Sequence, residues 1–152
     1  MIWATVIVFP LVVACLLSWP RIRPLIGTHG LWMACLPAGI LAVVGTGAET
    51  GRFSFLFLGT VLHFGEFGRV FLFLTALLWA ASGLFAGGYF SENRSASNRF
   101  SLFFLLTLCG NLGVCLAQDV SSFYAFFALM SFAAYGLIVH NKTKKALRAG
   151  RV

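Results

Sequence analysis

The chain has 152 residues, of which 60% are apolar and only 10% charged, with a formal net charge of +7. Soluble globular chains carry about 25% charged residues, so this composition excludes an ordinary water-soluble domain, and 17 Phe and 4 Trp suit a surface that faces lipid. The basic residues sit between apolar runs and at the C-terminus and form no long patch, which argues against nucleic acid and for the charge clusters that orient membrane helices.

Five apolar runs follow one another, each near the length that spans a hydrocarbon core. The first covers about Ile2 to Trp19. It has no basic stretch ahead of it, since the chain opens Met1-Ile2-Trp3, so it is expected to be an uncleaved helix rather than a signal peptide. The second covers about Thr28 to Gly47 and contains Pro37, which lipid-embedded helices tolerate better than soluble ones. Next comes an odd stretch from Arg52 to Phe67, in which Phe53, Phe55 and Phe57 alternate with Ser54, Leu56 and Leu58. Alternation with a period of two predicts an extended, strand-like or hairpin element. An unpaired strand cannot sit in lipid, so the element is placed at the outer membrane surface, with a sixth crossing as the lesser alternative.

The third run spans about Gly68 to Phe90, the fourth Phe100 to Leu116 and the fifth Val120 to Val139, with a basic tail over 140–152. The expectation is therefore an all-α integral membrane protein in one membrane domain, with about five transmembrane helices and a short strand-like segment between helices two and three. Nine of the eleven Lys and Arg fall on one side under this reading: Arg21, Arg23, Arg94, Arg99, Lys142, Lys144, Lys145, Arg148 and Arg151. Arg52 and Arg69 fall on the other. The positive-inside rule then puts the N-terminus outside and the tail in the cytoplasm.

Ionisable groups inside a bilayer are functional candidates by default, and few are available. The acids are Glu49, Glu66, Glu92 and Asp119, none at the centre of a predicted span. Asp119 opens span five; it could stand at the mouth of a proton route, but a helix cap is favoured, because a carboxylate there accepts free amides and suits the helix dipole. His63, Glu66 and Arg69 are spaced three apart and would share a face as a short polar relay if that stretch were helical. The blander alternative is a solvated loop with a weak Glu66–Arg69 pair. Cys15, Cys35, Cys109 and Cys115 lie inside apolar runs without metal-ligand spacing and read as buried, inert thiols. His29, His63 and His140 sit near span ends, so no haem, metal or other cofactor is expected. Gly83 and Gly87 form a small-xxx-small face that lets another helix approach closely. No nucleophile–base pair or phosphate loop is visible, and no catalytic residue is assigned.

The second half of the chain resembles a known family. Gly68-Arg69-Val70-Phe71-Leu72-Phe73-Leu74-Thr75-Ala76-Leu77-Leu78-Trp79, the polar linker Tyr89 to Asn98, and Leu116-Ala117-Gln118-Asp119 are similar to the antiporter-like proton-translocating subunits of complex I (NADH dehydrogenase), membrane-bound hydrogenases and multisubunit cation/proton antiporters. The aromatic run Phe123-Tyr124-Ala125-Phe126-Phe127-Ala128-Leu129-Met130-Ser131 and the tail from Lys145 to Arg151 extend the likeness. The first half matches only in helix count and loop placement.

The resemblance implies a subunit, or the N-terminal piece of one, in a proton- or cation-translocating complex of a bacterial or organellar inner membrane, with other membrane subunits and the lipid bilayer as partners. It implies that Asp119 matches the family's aspartate. Two departures imply that the chain does not conduct by itself: Ala128 stands where the family has a mid-membrane glutamate, and the family's later lysine-bearing helices have no counterpart here. The alternative is a purely structural transmembrane subunit packed on another large complex. A non-catalytic role is expected in either case.

Overall fold

The computed structural model describes residues 2–19, 29–45, 49–53, 60–89 and 94–139. The chain is mostly helical: α1 (Ile2–Ser18), α2 (His29–Met33), α3 (Leu36–Val44), β1 (Glu49–Phe53), β2 (Thr60–Phe64), α4 (Glu66–Tyr89), α5 (Arg94–Leu116) and α6 (Val120–Val139). The basic tail and His140, Phe55, Phe57 and Glu92 lie outside the described residues.

Helix α5 is the central element. Leu105, Leu108, Leu112 and Leu116 recur at helical spacing and are fully buried; α1 packs along α5 on one side and α6 on another, while α2 and α3 pack on α4. Among the described residues, three helices are long and apolar enough to cross a membrane: α4, the Asn98–Leu116 part of α5, and α6. Helix α1 has 17 residues, about 25 Å at 1.5 Å per residue, a little short of a hydrocarbon core of about 30 Å.

The second apolar run is not one helix. It breaks at Ala34–Cys35 into α2 and α3, and Pro37 lies in the first turn of α3. Proline has no N–H to give the Met33 carbonyl and its ring collides with that group, so the chain turns instead, with Cys35 N donating to Trp32 O at 3.1 Å and Gly39 N to Cys35 O at 3.0 Å. Pro10 sits buried inside α1. In the turn before it the Cys109 thiol of α5 donates to Ile7 O at 3.5 Å, so a backbone carbonyl in an apolar setting gains a partner from the neighbouring helix.

The fourth run starts earlier than its hydropathy suggests, at Arg94 rather than near Phe100. The polar stretch 94–99 reads as a loop on hydropathy alone, yet Arg, Ser, Ala and Asn are all compatible with a helix whose end projects beyond an apolar slab. Helix α4 likewise begins at Glu66.

Small residues set the helix spacing. A Cβ on Gly83 of α4 would lie 3.0 Å from Trp32 N and 3.1 Å from Leu31 C, so α2 rests its backbone on this glycine. On α5, a Cβ at Gly110 would lie 2.7 Å from Met130 N of α6, and one at Gly113 would enter the Phe126 ring. The exchange is reciprocal, since Gly136 of α6 receives Phe103 of α5. Backbone contact through glycines packs helices without any need for a hydrophobic driving force.

Candidate functional site

The site lies at the end of the bundle where α3, α5 and the starts of α4 and α6 meet the sheet. Strands β1 and β2 pair antiparallel, with Thr50 opposite His63 and Arg52 opposite Val61. The link between α5 and α6 adds a third edge: Leu62 bridges Ala117, and Gln118 N donates to Val61 O at 3.0 Å. Each strand edge brings backbone groups that need partners, and this arrangement supplies them at the rim of the helices.

Asp119 closes the link. Its Oδ2 accepts from Ser122 N at 2.9 Å, the N3 position of α6, which is the geometry of an N-cap. Its Oδ1 accepts from Val61 N at 2.8 Å and from the Ser122 hydroxyl, while Ser122 Oγ also receives Val61 N at 3.2 Å. One carboxylate thus caps α6 and holds β2 to it. The hydrogen bonds from the Ser122 hydroxyl, then from the Ser122 and Val61 amides, push the Asp119 pKa down to about 2, because they favour the charged form. The same bonds account for the carboxylate's role as a cap and as the link between β2 and α6.

His63, Glu66 and Arg69 do not form a helical relay. His63 lies on β2, with Nδ1 at 2.8 Å from Thr50 Oγ1 across the sheet, and only Glu66 and Arg69 belong to α4. Gly65 separates the two elements, so the three residues never share one helix face. Both Glu66 and Arg69 are exposed, and Arg69 Nη1 reaches back to Gly45 O at 3.5 Å, at the end of α3.

Beside the Asp119 node, a cleft of about 570 Å³ opens between the start of α4 and the end of α5. His63 and Glu66 line it, together with Thr75, Asn111, Cys115 and Gln118. Inside, Thr75 Oγ1 lies 3.6 Å from Cys115 Sγ, which lies 3.9 Å from Asn111 Oδ1. Gly68 keeps the floor narrow, since a Cβ there would be 3.2 Å from Cys115 O. The sequence reading singled out His63, Glu66 and Asp119 but missed Ser122, Asn111, Gln118 and Thr75. Two signals were available: Asp119 and Ser122 stand at the spacing of a helix cap, and Asn111 is a lone amide within an apolar run.

The cysteines divide by environment. Cys35 and Cys109 are buried, Cys15 is exposed on α1, and Cys115 is half-buried on the cleft; the reading of all four as buried is corrected for the last two. His29 is exposed and accepts from Trp32 Nε1 at 3.4 Å. Among the described residues no three His, Cys, Asp or Glu side chains come together as a metal-holding group. Ala128 is exposed on α6, and Gly83 is buried against α2 while Gly87 is half-buried.

Fold and site together define a helical bundle with three membrane-length helices and a small sheet packed across one end. No family model and no curated protein matches the chain.

Proposed function

We propose that this chain is a transmembrane subunit, or the N-terminal part of one, of a proton- or cation-translocating complex of the complex I, hydrogenase and antiporter kind, and that it does not conduct by itself. The observation that carries the reading is the run from Asp119 to Ser131, which resembles the family's aspartate and aromatic helix and forms the capped helix α6. Three membrane-length helices, the shorter apolar helix Ala4–Ser18 and the broken apolar pair α2–α3 suit five crossings. The sheet, Gly45 and Asp119 share one end of the bundle, and Tyr89 and Arg94 lie at the opposite ends of α4 and α5. This fits an outer sheet and a cytoplasmic basic side.

Two features support the absence of conduction. Asp119 is committed to its cap, and position 128 carries alanine. That position faces away from the bundle, so an acid restored there would point toward whatever packs outside α6. Gentle detergent purification of the full chain, with mass spectrometry of bound proteins, tests the assignment: redox or antiporter subunits are expected, and their consistent absence overturns it. Within such an assembly, Ala128→Glu is expected to alter ion flux, and unchanged flux argues against a vestigial transport role. Orientation is tested separately in a Cys15→Ser, Cys115→Ser background. Impermeant thiol reagents should label Val120→Cys from outside and Tyr89→Cys only after permeabilisation.

A second reading, a purely structural subunit on an unrelated membrane complex, is favoured by one observation. Asp119, the residue that best matches a family acid, is occupied as a structural fastener. Capture of an unrelated complex in the same purification would support it.

A further inference from the structure

We propose that the cleft between α4 and α5 is a binding site for a small ammonium group, carried by a soluble amine or by a lipid headgroup. The inference is independent of the assignment to an ion-translocating complex. Its volume, about 570 Å³, lies within the range of small-molecule sites. Among the described residues the lining holds one carboxylate, Glu66, one imidazole, His63, and no lysine or arginine. The basic residue placed to neutralise that acid, Arg69, directs its guanidinium to Gly45 O instead. The anionic Asp119 stands one residue beyond Gln118, and its low pKa keeps that negative charge in place at all ordinary pH values.

The rest of the wall suits a cation with apolar substituents. The last turns of α5 form one side, and the C-terminal end of a helix carries partial negative charge. Phe67 and Phe71 form an aromatic rim and are 85% and 60% exposed; ring faces attract ammonium groups. Asn111 and Gln118 add amide oxygens as acceptors for N–H donors. A carboxylate, two amides and two aromatic rings recognise an ammonium better than an alkali ion, which has no N–H donors for the amide oxygens and holds its hydration shell tightly. They do not suit an anion.

The test is a thermal-stability titration of the full chain in lipid-free detergent, with ethylammonium chloride against sodium chloride at equal ionic strength. Unfolding is read by the fluorescence of the four tryptophans, none of which lines the cleft. A ligand of the folded state raises the midpoint, by about 3 °C at roughly ten times its dissociation constant. Ethylammonium is expected to raise it and sodium not. Glu66→Gln, at an exposed position that tolerates the change, is expected to abolish the rise; Phe71→Leu, which keeps apolar bulk without the ring, is expected to weaken it roughly threefold. An equal shift with sodium, or an undiminished shift in Glu66→Gln, overturns the proposal. Nanodiscs separate the two sources. If the amine effect persists in phosphatidylglycerol but vanishes in phosphatidylethanolamine, the lipid headgroup occupies the cleft; if it persists in both, the ligand is a free amine.

Discussion

Replacing Gly110 by alanine probes a glycine pressed against the backbone of the neighbouring helix. The added methyl would stand 2.7 Å from Met130 N and 2.9 Å from Met130 Cα and Cβ. Carbon atoms rest at about 3.5–4.0 Å, so α6 must retreat by about 0.7–1 Å. Two of the three nearest atoms are backbone, so no rotamer change on α6 can absorb the clash. Retreat also loosens the two ring-on-glycine contacts, Phe126 on Gly113 and Phe103 on Gly136, and a gap of that size forfeits about a quarter to a half of each atomic contact. Overpacking of this kind costs about 1–3 kcal/mol, while alanine returns up to about 1 kcal/mol in helix propensity. The net expectation is a loss of about 1–2 kcal/mol, which lowers the thermal midpoint by about 3–6 °C in a chain of this size. The tryptophan-fluorescence assay reads it. Gly88→Ala is the control: nothing lies within 4 Å of its Cβ, so its midpoint should hold or rise. A Gly110→Ala midpoint at or above the wild type would refute the view that backbone contact at this glycine sets the α5–α6 distance.

Two further outcomes follow from the same structure. Asp119 has its pKa lowered from 3.8 to about 2 in the folded chain, so its contribution is fully present above about pH 4 and is lost as pH falls through 2. Acid titration of stability between pH 4 and 2 should show this loss in the wild type, and Asp119→Asn should lack that component. Leu108 is fully buried on α5, so Leu108→Ala should cost about 2–5 kcal/mol in a denaturant titration; Leu78→Ala, at a site 62% exposed on α4, should change stability by about 0.5 kcal/mol or less.

Much of the architecture is legible because hydropathy is a property of local composition. Runs of apolar residues with few charges locate helices α1, α4, α5 and α6, and the strand-like element expected between the second and third runs is met by the pairing of β1 with β2, although the alternating residues 54–58 lie outside the described residues. Pro37 was visible as an interruption, but hydropathy does not say whether a proline bends a helix or ends it. Here the chain turns at Ala34–Cys35 and begins again. The extra turns of α5 before Phe100 were missed for the opposite reason, since a polar helix end carries no hydropathy signal.

The site was less legible. Asp119 could be suspected as a cap, because capping is local and the side chain reaches only three residues on. Its second task could not be foreseen. Val61 lies 58 residues earlier, and its amide reaches Asp119 only because β2 lies across the ends of α5 and α6. The same holds for the cleft, in which Glu66 and Thr75 of α4 meet Asn111 and Cys115 of α5 across a helix pair held close at Gly68. Sequence by itself determined what each segment can be, because helix, strand and cap follow from periodicity and near neighbours. Only the tertiary structure decided which polar groups share a space. That depends on which helix faces meet, and the small residues that let them meet, Gly68, Gly83 and Gly110, look alike in the sequence until their partners are known.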